Sequence, residues 1–281
     1  MADHPNLTRP SEVRALLTQL DFHPSRILGQ NFLIDRNVLN ILLAAADLQP
    51  TDAVVEVGPG LGVLTAALLE RAAAVTAVEK DNRLAPYLRE RFADEPRLTL
   101  IHADVLDCDL PALFPRPGGK LVANLPYAIA ARLLVELTAI PHPPAVLVVT
   151  IQREVADRLE AAPSSDDYGL LSILLQRHYE IATVKHVSPS CFWPPPEVQS
   201  SISKLVRRPA PLGGPADELA LRDLLRHAFS RRRKTMARSL RDLVADPLPA
   251  LAQAGIAPTA RAEELAPETW PALLRALPPA R

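Results

Sequence analysis

The sequence predicts an α/β protein built on a parallel, doubly wound sheet, followed by a smaller helical domain. Three observations carry this. From Ala53 onward, short apolar runs of strand length alternate with stretches of helical spacing. The first of those runs ends in a glycine-rich turn, Glu56-Val-Gly-Pro-Gly-Leu-Gly62, which opens the next helical stretch. Past the proline- and glycine-rich segment Arg207–Pro215 only helical patterns remain.

Taken in order, Thr8–Asp21 offers capping residues and helical spacing, and Gly29–Leu33 reads as a loop. Asp35 caps a second helix that runs to Ala46. Strands are expected at Ala53–Val57, Ala74–Val78, Leu98–Ile101, Lys120–Ala123 and Ala145–Ile151. Helices at Leu61–Arg71, Ala85–Phe92 and Ile129–Leu137 connect them, with a loop around Leu110–Pro117. Strands alternating with helices at this spacing favour a parallel sheet. Further helices are expected at Gln152–Ala161 and Gly169–Tyr179. Ile181–Val187 and Ser200–Val206 then add an antiparallel pair around the proline-rich Phe192–Pro196 loop. The helical part comprises Ala216–Phe229, Lys234–Val244, Leu248–Ala254 and Glu268–Leu277. The expected domains are residues 1–208 and 209–281.

Composition bounds the function. A chain of 281 residues, 48% hydrophobic, buries a full core, and its net charge of −1 gives no global sign of a nucleic-acid partner. Two cysteines, Cys108 and Cys191, make neither a disulfide framework nor a zinc site. With no apolar stretch near 18 residues, a soluble, cytoplasmic protein with no membrane partner and no metal is expected, monomeric by default.

The glycine turn departs from the G-x-G-x-x-G dinucleotide fingerprint, because its third glycine comes one residue early and Glu56 precedes it. That acid would repel a pyrophosphate but attract a cationic amine or sulfonium, as in the methionine part of S-adenosylmethionine. Glu79 and Asp104 also fall at strand ends, where open α/β sheets bind ligands. Glu79 is placed for ribose hydroxyls and Asp104 for an adenine amino group. Asn124-Leu125-Pro126-Tyr127 follows the fourth strand. An amide and a backbone carbonyl accept the N–H bonds of a planar amino group, while the ring stacks on its heterocycle. Phe192 is expected to close the other face. A single-stranded or flipped base is implied.

Gly29-Gln-Asn-Phe-Leu33, Glu56–Gly62, Val78-Glu-Lys-Asp81, Asn124–Tyr127, Phe192-x-Pro194-x-Pro196-x-Val198-x-Ser200 and Phe229–Thr235 occur in that order. The set resembles the ribosomal RNA adenine N6-dimethyltransferase family, most closely its bacterial small-subunit branch, over nearly all the chain after residue 20. The resemblance implies a Rossmann-like class I methyltransferase sheet and S-adenosylmethionine as cofactor. By it, Asn31 and Leu33 close over the methionine end, Gly58 and Gly60 contact the cofactor through backbone, and Glu79 holds the ribose. Asp104 and Val105 hold the adenine ring, and Asn124 stands between cofactor and acceptor. Two stretches differ from the common pattern: Pro24–Leu28, where lysine is frequent, and Ala128-Ile-Ala-Ala131, which lacks a proline.

Between Arg222 and Arg241 eight Lys/Arg residues face one acid, Asp223. The run Arg231, Arg232, Arg233, Lys234, with Arg238, is expected to grip RNA phosphates beside the catalytic cleft. The function expected is dimethylation of two neighbouring adenines in a hairpin loop of small-subunit rRNA, within a ribosome-assembly particle. Two alternatives stay open: a large-subunit adenine methyltransferase of the macrolide-resistance type, and a non-catalytic RNA-binding assembly factor.

Overall fold

The computed structural model describes residues 7–24 and 29–278. Part of the lysine-free stretch Pro24–Leu28 therefore lies outside the described residues. Packing divides the chain into two compact units, Met1–Ala156 with Ala182–Val206, and Asp157–Ile181 with Arg207–Arg281. The expected boundary at 208 leaves 157–181 in the first domain, whereas these residues group with the second unit.

Among the described residues nine strands form: β1 (Phe32–Leu33), β2 (Ala53–Val57), β3 (Ala74–Glu79), β4 (Leu98–His102), β5 (Lys120–Asn124), β6 (Val146–Gln152), β7 (Tyr179–Val187), β8 (Phe192–Trp193) and β9 (Ser200–Arg207). Seven of them make one sheet in the order β4-β3-β2-β5-β6-β9-β7. The strands from β2 to β6 run parallel, and β9 joins β6 antiparallel. The chain moves outward from β2 to β4, then returns to the other side of β2 with β5. The strand order thus reverses between β2 and β5, and a crevice opens at their C-terminal ends.

Helices of the first unit are α1 (Pro10–Gln19), α2 (Arg36–Ala46), α3 (Val63–Leu69), α4 (Leu84–Arg91), α5 (Leu110–Leu113) and α6 (Tyr127–Leu137). Asp35 caps α2 by accepting from the Val38 amide at 2.8 Å. The α2 stripe Val38, Leu39, Leu42 and Leu43 packs with Val122, Val148 and Ile202 of the sheet. The buried α1 residues Val13, Leu16 and Leu17 share a second cluster with Phe32, Leu61 and Leu84, so the N-terminal helix packs onto the glycine turn. Each such leucine contributes about 1.5–3 kcal/mol by leaving water.

One feature absent from the sequence expectation is the pairing of β1 with β8, Phe32 opposite Trp193 and Leu33 opposite Phe192. The Gly29–Leu33 segment, read as a loop, is thereby tied to the proline-rich loop. The Arg14 guanidinium lies 5.1 Å from the Trp193 ring centroid and covers the same corner.

Two helices lead into the second unit or lie within it, α7 (Arg153–Glu160) and α8 (Leu170–His178). The rest of that unit is α9 (Glu218–Phe229), α10 (Met236–Ser239), α11 (Leu248–Gln253) and α12 (Thr269–Ala276). The helix expected over Lys234–Val244 is shorter: Arg231–Arg233 form a turn, Lys234 a bend, α10 spans one turn, and Leu240–Asp242 is a 3-10 segment. Arg177 explains why 157–181 packs here. It is fully buried: its Nη1 donates to both carboxylate oxygens of Glu218 at 3.0 and 2.8 Å, while Nε and Nη2 donate to the Leu212 and Gly214 carbonyls.

Candidate active site

At the C-terminal ends of β2, β3 and β5 lies a cavity of about 280 Å³, lined by residues from every predicted cofactor cluster. Asn31, Leu33, Gly58, Gly60, Glu79, Asp104, Val105 and Asn124 all line it, together with Glu56 and Pro126. The glycines matter at two points. Gly58 has φ +70°, and a Cβ there would meet the Pro126 ring at 3.2 Å. Gly60 has φ +59°, and its Cβ would meet the Phe32 ring at 3.0 Å. Glycine therefore allows the cofactor turn to lie against the acceptor turn on one side and β1 on the other.

The acids are set differently. Glu56 is 1% exposed, with one oxygen accepting from the Thr65 hydroxyl at 2.7 Å. Burial, opposed in part by that hydrogen bond and reinforced by nearby Glu79, pushes its pKa up to about 8. Glu79 accepts from the Gly60 amide at 3.1 Å and the Asp81 amide at 2.9 Å, so it ties the glycine turn to the end of β3. Its pKa is also raised, by burial above all. Among the described residues neither acid has an ion-pair partner. Asp104 behaves oppositely: Lys80 at 2.7 Å and the Leu106 amide at 2.9 Å hold its carboxyl below the usual range.

Asn124 closes β5 and donates its amide N–H to the Asn31 carbonyl at 3.0 Å, which leaves its side-chain oxygen as an acceptor. Gln30 extends this link to β3 by donating to Asp81 at 2.9 Å. Leu125 buries its side chain and donates its backbone N–H to the Thr150 carbonyl at 3.1 Å. Leu125 and Tyr127 are not among the residues lining the cavity. Tyr127 begins α6, two residues before the expected start, and its half-buried hydroxyl meets the Ser200 hydroxyl at 2.6 Å.

Phe192 corrects an expectation. It is 1% exposed and belongs to the core cluster with Leu33, Val148 and Ile202, so neither ring face is open to a base. Its partner across β1–β8 draws it into the core, a pairing that no sequence periodicity announces. Thr65, Lys80 and Ser200 were missed as partners of Glu56, Asp104 and Tyr127. Lys80 and Ser200 stood in recognised motifs, and Thr65 did not.

In the second unit, Arg231 pairs with Asp242 and Arg232 with Glu263. Arg232 also donates to the Tyr168 carbonyl at 3.2 Å. Arg233, Lys234 and Arg238 are exposed, with no ion pair among the described residues. No group of three or more His, Cys, Asp and Glu side chains able to hold a metal occurs among the described residues. Nor is any described helix long and apolar enough to cross a membrane.

A reversing parallel sheet with acids at successive strand ends, and an amide-bearing turn across the crevice, define a Rossmann-like methyltransferase of the S-adenosylmethionine-dependent kind. The comparisons carry this further. The model of the ribosomal RNA adenine dimethylase family matches residues 22–277, and the chain belongs to that family. Ribosomal RNA small subunit methyltransferase A of Geobacter metallireducens is 41% identical over 260 residues, covering 90% of this chain and 94% of the relative. The crystal structure of the 23S rRNA methyltransferase ErmE is 30% identical, with a TM-score of 0.64, covering 88% of this chain and 99% of that one. A dimethyladenosine transferase from Plasmodium falciparum shares the fold at 24% identity and a TM-score of 0.71, over 86% and 95%.

Proposed function

We propose that the protein transfers methyl groups from S-adenosylmethionine to N6 of two adjacent adenines in a hairpin loop near the 3′ end of small-subunit rRNA, during ribosome assembly. The carrying observation is the Asn124 amide, which lines the cavity and donates an N–H to the Asn31 carbonyl, so that its side-chain oxygen is left as an acceptor. Similarity to a relative named for the small subunit supports the choice of RNA.

The residues fit the cofactor. Two buried acidic side chains without cationic partners among the described residues suit a ligand that brings an amine, a sulfonium and hydroxyls. Glu79 would hold the ribose, Asp104 and Val105 the adenine ring, and Gly58 and Gly60 the backbone contacts. Asn31, Leu33 and Glu56 would surround the methionine end. When bound, S-adenosylmethionine supplies an electrophilic methyl group. The chain's own residues then orient the acceptor.

An adenine amino nitrogen is a poor nucleophile because its lone pair is delocalised into the ring. The Asn124 oxygen and the Leu125 carbonyl accept its two N–H bonds, favour a pyramidal nitrogen and aim the lone pair inward. Pro126 stiffens the turn, and Tyr127 stacks on the base. Methylated nitrogen is cationic and acidic, so water or the carbonyl route takes the proton and no strong base is required. Rate comes from alignment and fixed dipoles. A second transfer proceeds with one N–H already replaced by methyl. Arg233, Lys234 and Arg238 supply phosphate contacts to the RNA, and the protein works as a monomer.

The test is methylation of small-subunit particles lacking these modifications, beside large subunits, followed by mass spectrometry of the digested RNA. Dimethyladenosine at two neighbouring small-subunit positions is expected. Modification confined to large-subunit RNA would move the protein to the alternative adenine methyltransferase. Particle binding without any methylation would make it an assembly factor.

A further inference from the structure

Ser200 ends the proline-rich motif and has no part in the chemistry described above. It is the first residue of β9, fully buried, opposite Gln152 at the end of β6. Its hydroxyl lies 2.6 Å from the hydroxyl of Tyr127, the aromatic of the acceptor turn. We infer that Ser200 is a positioning residue: it fixes the Tyr127 ring as the wall on which the acceptor base stacks. The inference rests on the proposed methylation of adenine.

The Tyr127 ring is attached at two ends. At one end the Tyr127 Cα is held by the first turn of α6, directly after Pro126. At the other end the phenol oxygen is held by a side chain that sits on the sheet and has no solvent to exchange with. A ring pinned at both ends has lost its freedom about χ1 and χ2 before any base arrives. An unpinned, half-buried tyrosine would have to be ordered anew with each substrate, which weakens binding and spoils alignment. Phe192 offers no substitute, since its ring is packed in the core. The pairing also gives each buried or half-buried hydroxyl a partner inside the protein.

The experiment uses the full-length protein and unmodified small-subunit particles. Ser200→Ala and Tyr127→Phe each remove the bond while keeping the ring. Each should lower kcat/KM for RNA by about five- to tenfold, the scale of one lost hydrogen bond. S-adenosylmethionine affinity by calorimetry should stay at the wild-type value, and Tm should fall by the same few degrees in both variants, the cost of one buried hydrogen bond. The double variant should be no worse than either single one, and Ser200→Thr should restore activity by restoring a hydroxyl. Multiplying losses in the double variant, or no loss on Ser200→Ala, would overturn the role. So would a Ser200→Ala variant that loses cofactor affinity or Tm while Tyr127→Phe does not, since this marks a plain core residue. A wild-type protein that binds the cofactor but methylates no adenine overturns the proposed function itself, and this inference with it.

Discussion

At Asn124, sequence, geometry and chemistry meet in one amide. One of its N–H groups is held by the Asn31 carbonyl, which orients the amide and leaves its oxygen as an acceptor for the proposed amino group. Asn124→Ala removes that acceptor without emptying the cofactor's subsites. It should cut turnover by about a hundredfold or more, the range found for fixed dipoles at a reacting centre, with little change in S-adenosylmethionine affinity. Single-turnover kinetics beside calorimetry would separate the two. Glu56 gives a prediction of a different kind. In the folded chain it holds its proton up to about pH 8, whereas an ordinary glutamate loses it near 4.5. Between those values the native state binds a proton that the unfolded chain has released, so stability falls as pH rises, by up to ~1.4 kcal/mol per unit. Glu56→Gln imitates the protonated form. The cofactor-free variant should match wild type near pH 4.5 and melt higher than wild type at pH 8.5; equal melting at both would refute the shift.

Among the elements, the central strands were legible because β2, β3, β5 and β6 are apolar runs of strand length bounded by turn residues. The residues that line the cavity were legible for a related reason: an acid that follows an apolar run lands at the C-terminal end of a parallel strand. What stayed hidden depends on contacts distant in sequence. Phe32-Leu33 and Phe192-Trp193 are too short to show a period, so their pairing, and the burial of Phe192 that follows, had no local signal. The short α5 lay in a stretch read as loop. Arg177 looks like a polar position on a helix face, yet Glu218 draws it into the interior. That pair locks α8 against α9. Glu218→Ala would strand a buried guanidinium on carbonyl partners alone and should cost roughly 3 kcal/mol or more in a urea melt. A loss below ~0.5 kcal/mol would mean the pair is a surface contact in solution.

For the whole molecule, net charge is uninformative and charge placement is decisive. The run read as one basic grip divides in the structure: Arg231 and Arg232 pair with acids of their own unit, while Arg233, Lys234 and Arg238, the proposed phosphate contacts, are exposed with no ion pair among the described residues. Neutralising those three should raise KM for RNA and reduce the slope of log affinity against log salt by about two to three, leaving cofactor affinity unchanged. Neutralising Arg232 should instead lower Tm. The central claim is that one crevice, where the strand order reverses, brings a sulfonium-bearing cofactor against an extruded adenine on the Asn124 turn. A crystal structure with S-adenosylhomocysteine and a short RNA carrying the target adenine tests it most directly. The account predicts the sulfur in the cavity beside Glu56, Glu79 and Asp104, with N6 in line with it and bonded to the Asn124 oxygen and the Leu125 carbonyl. An adenine bound elsewhere, or an Asn124 side chain turned away from its amino group, would contradict it.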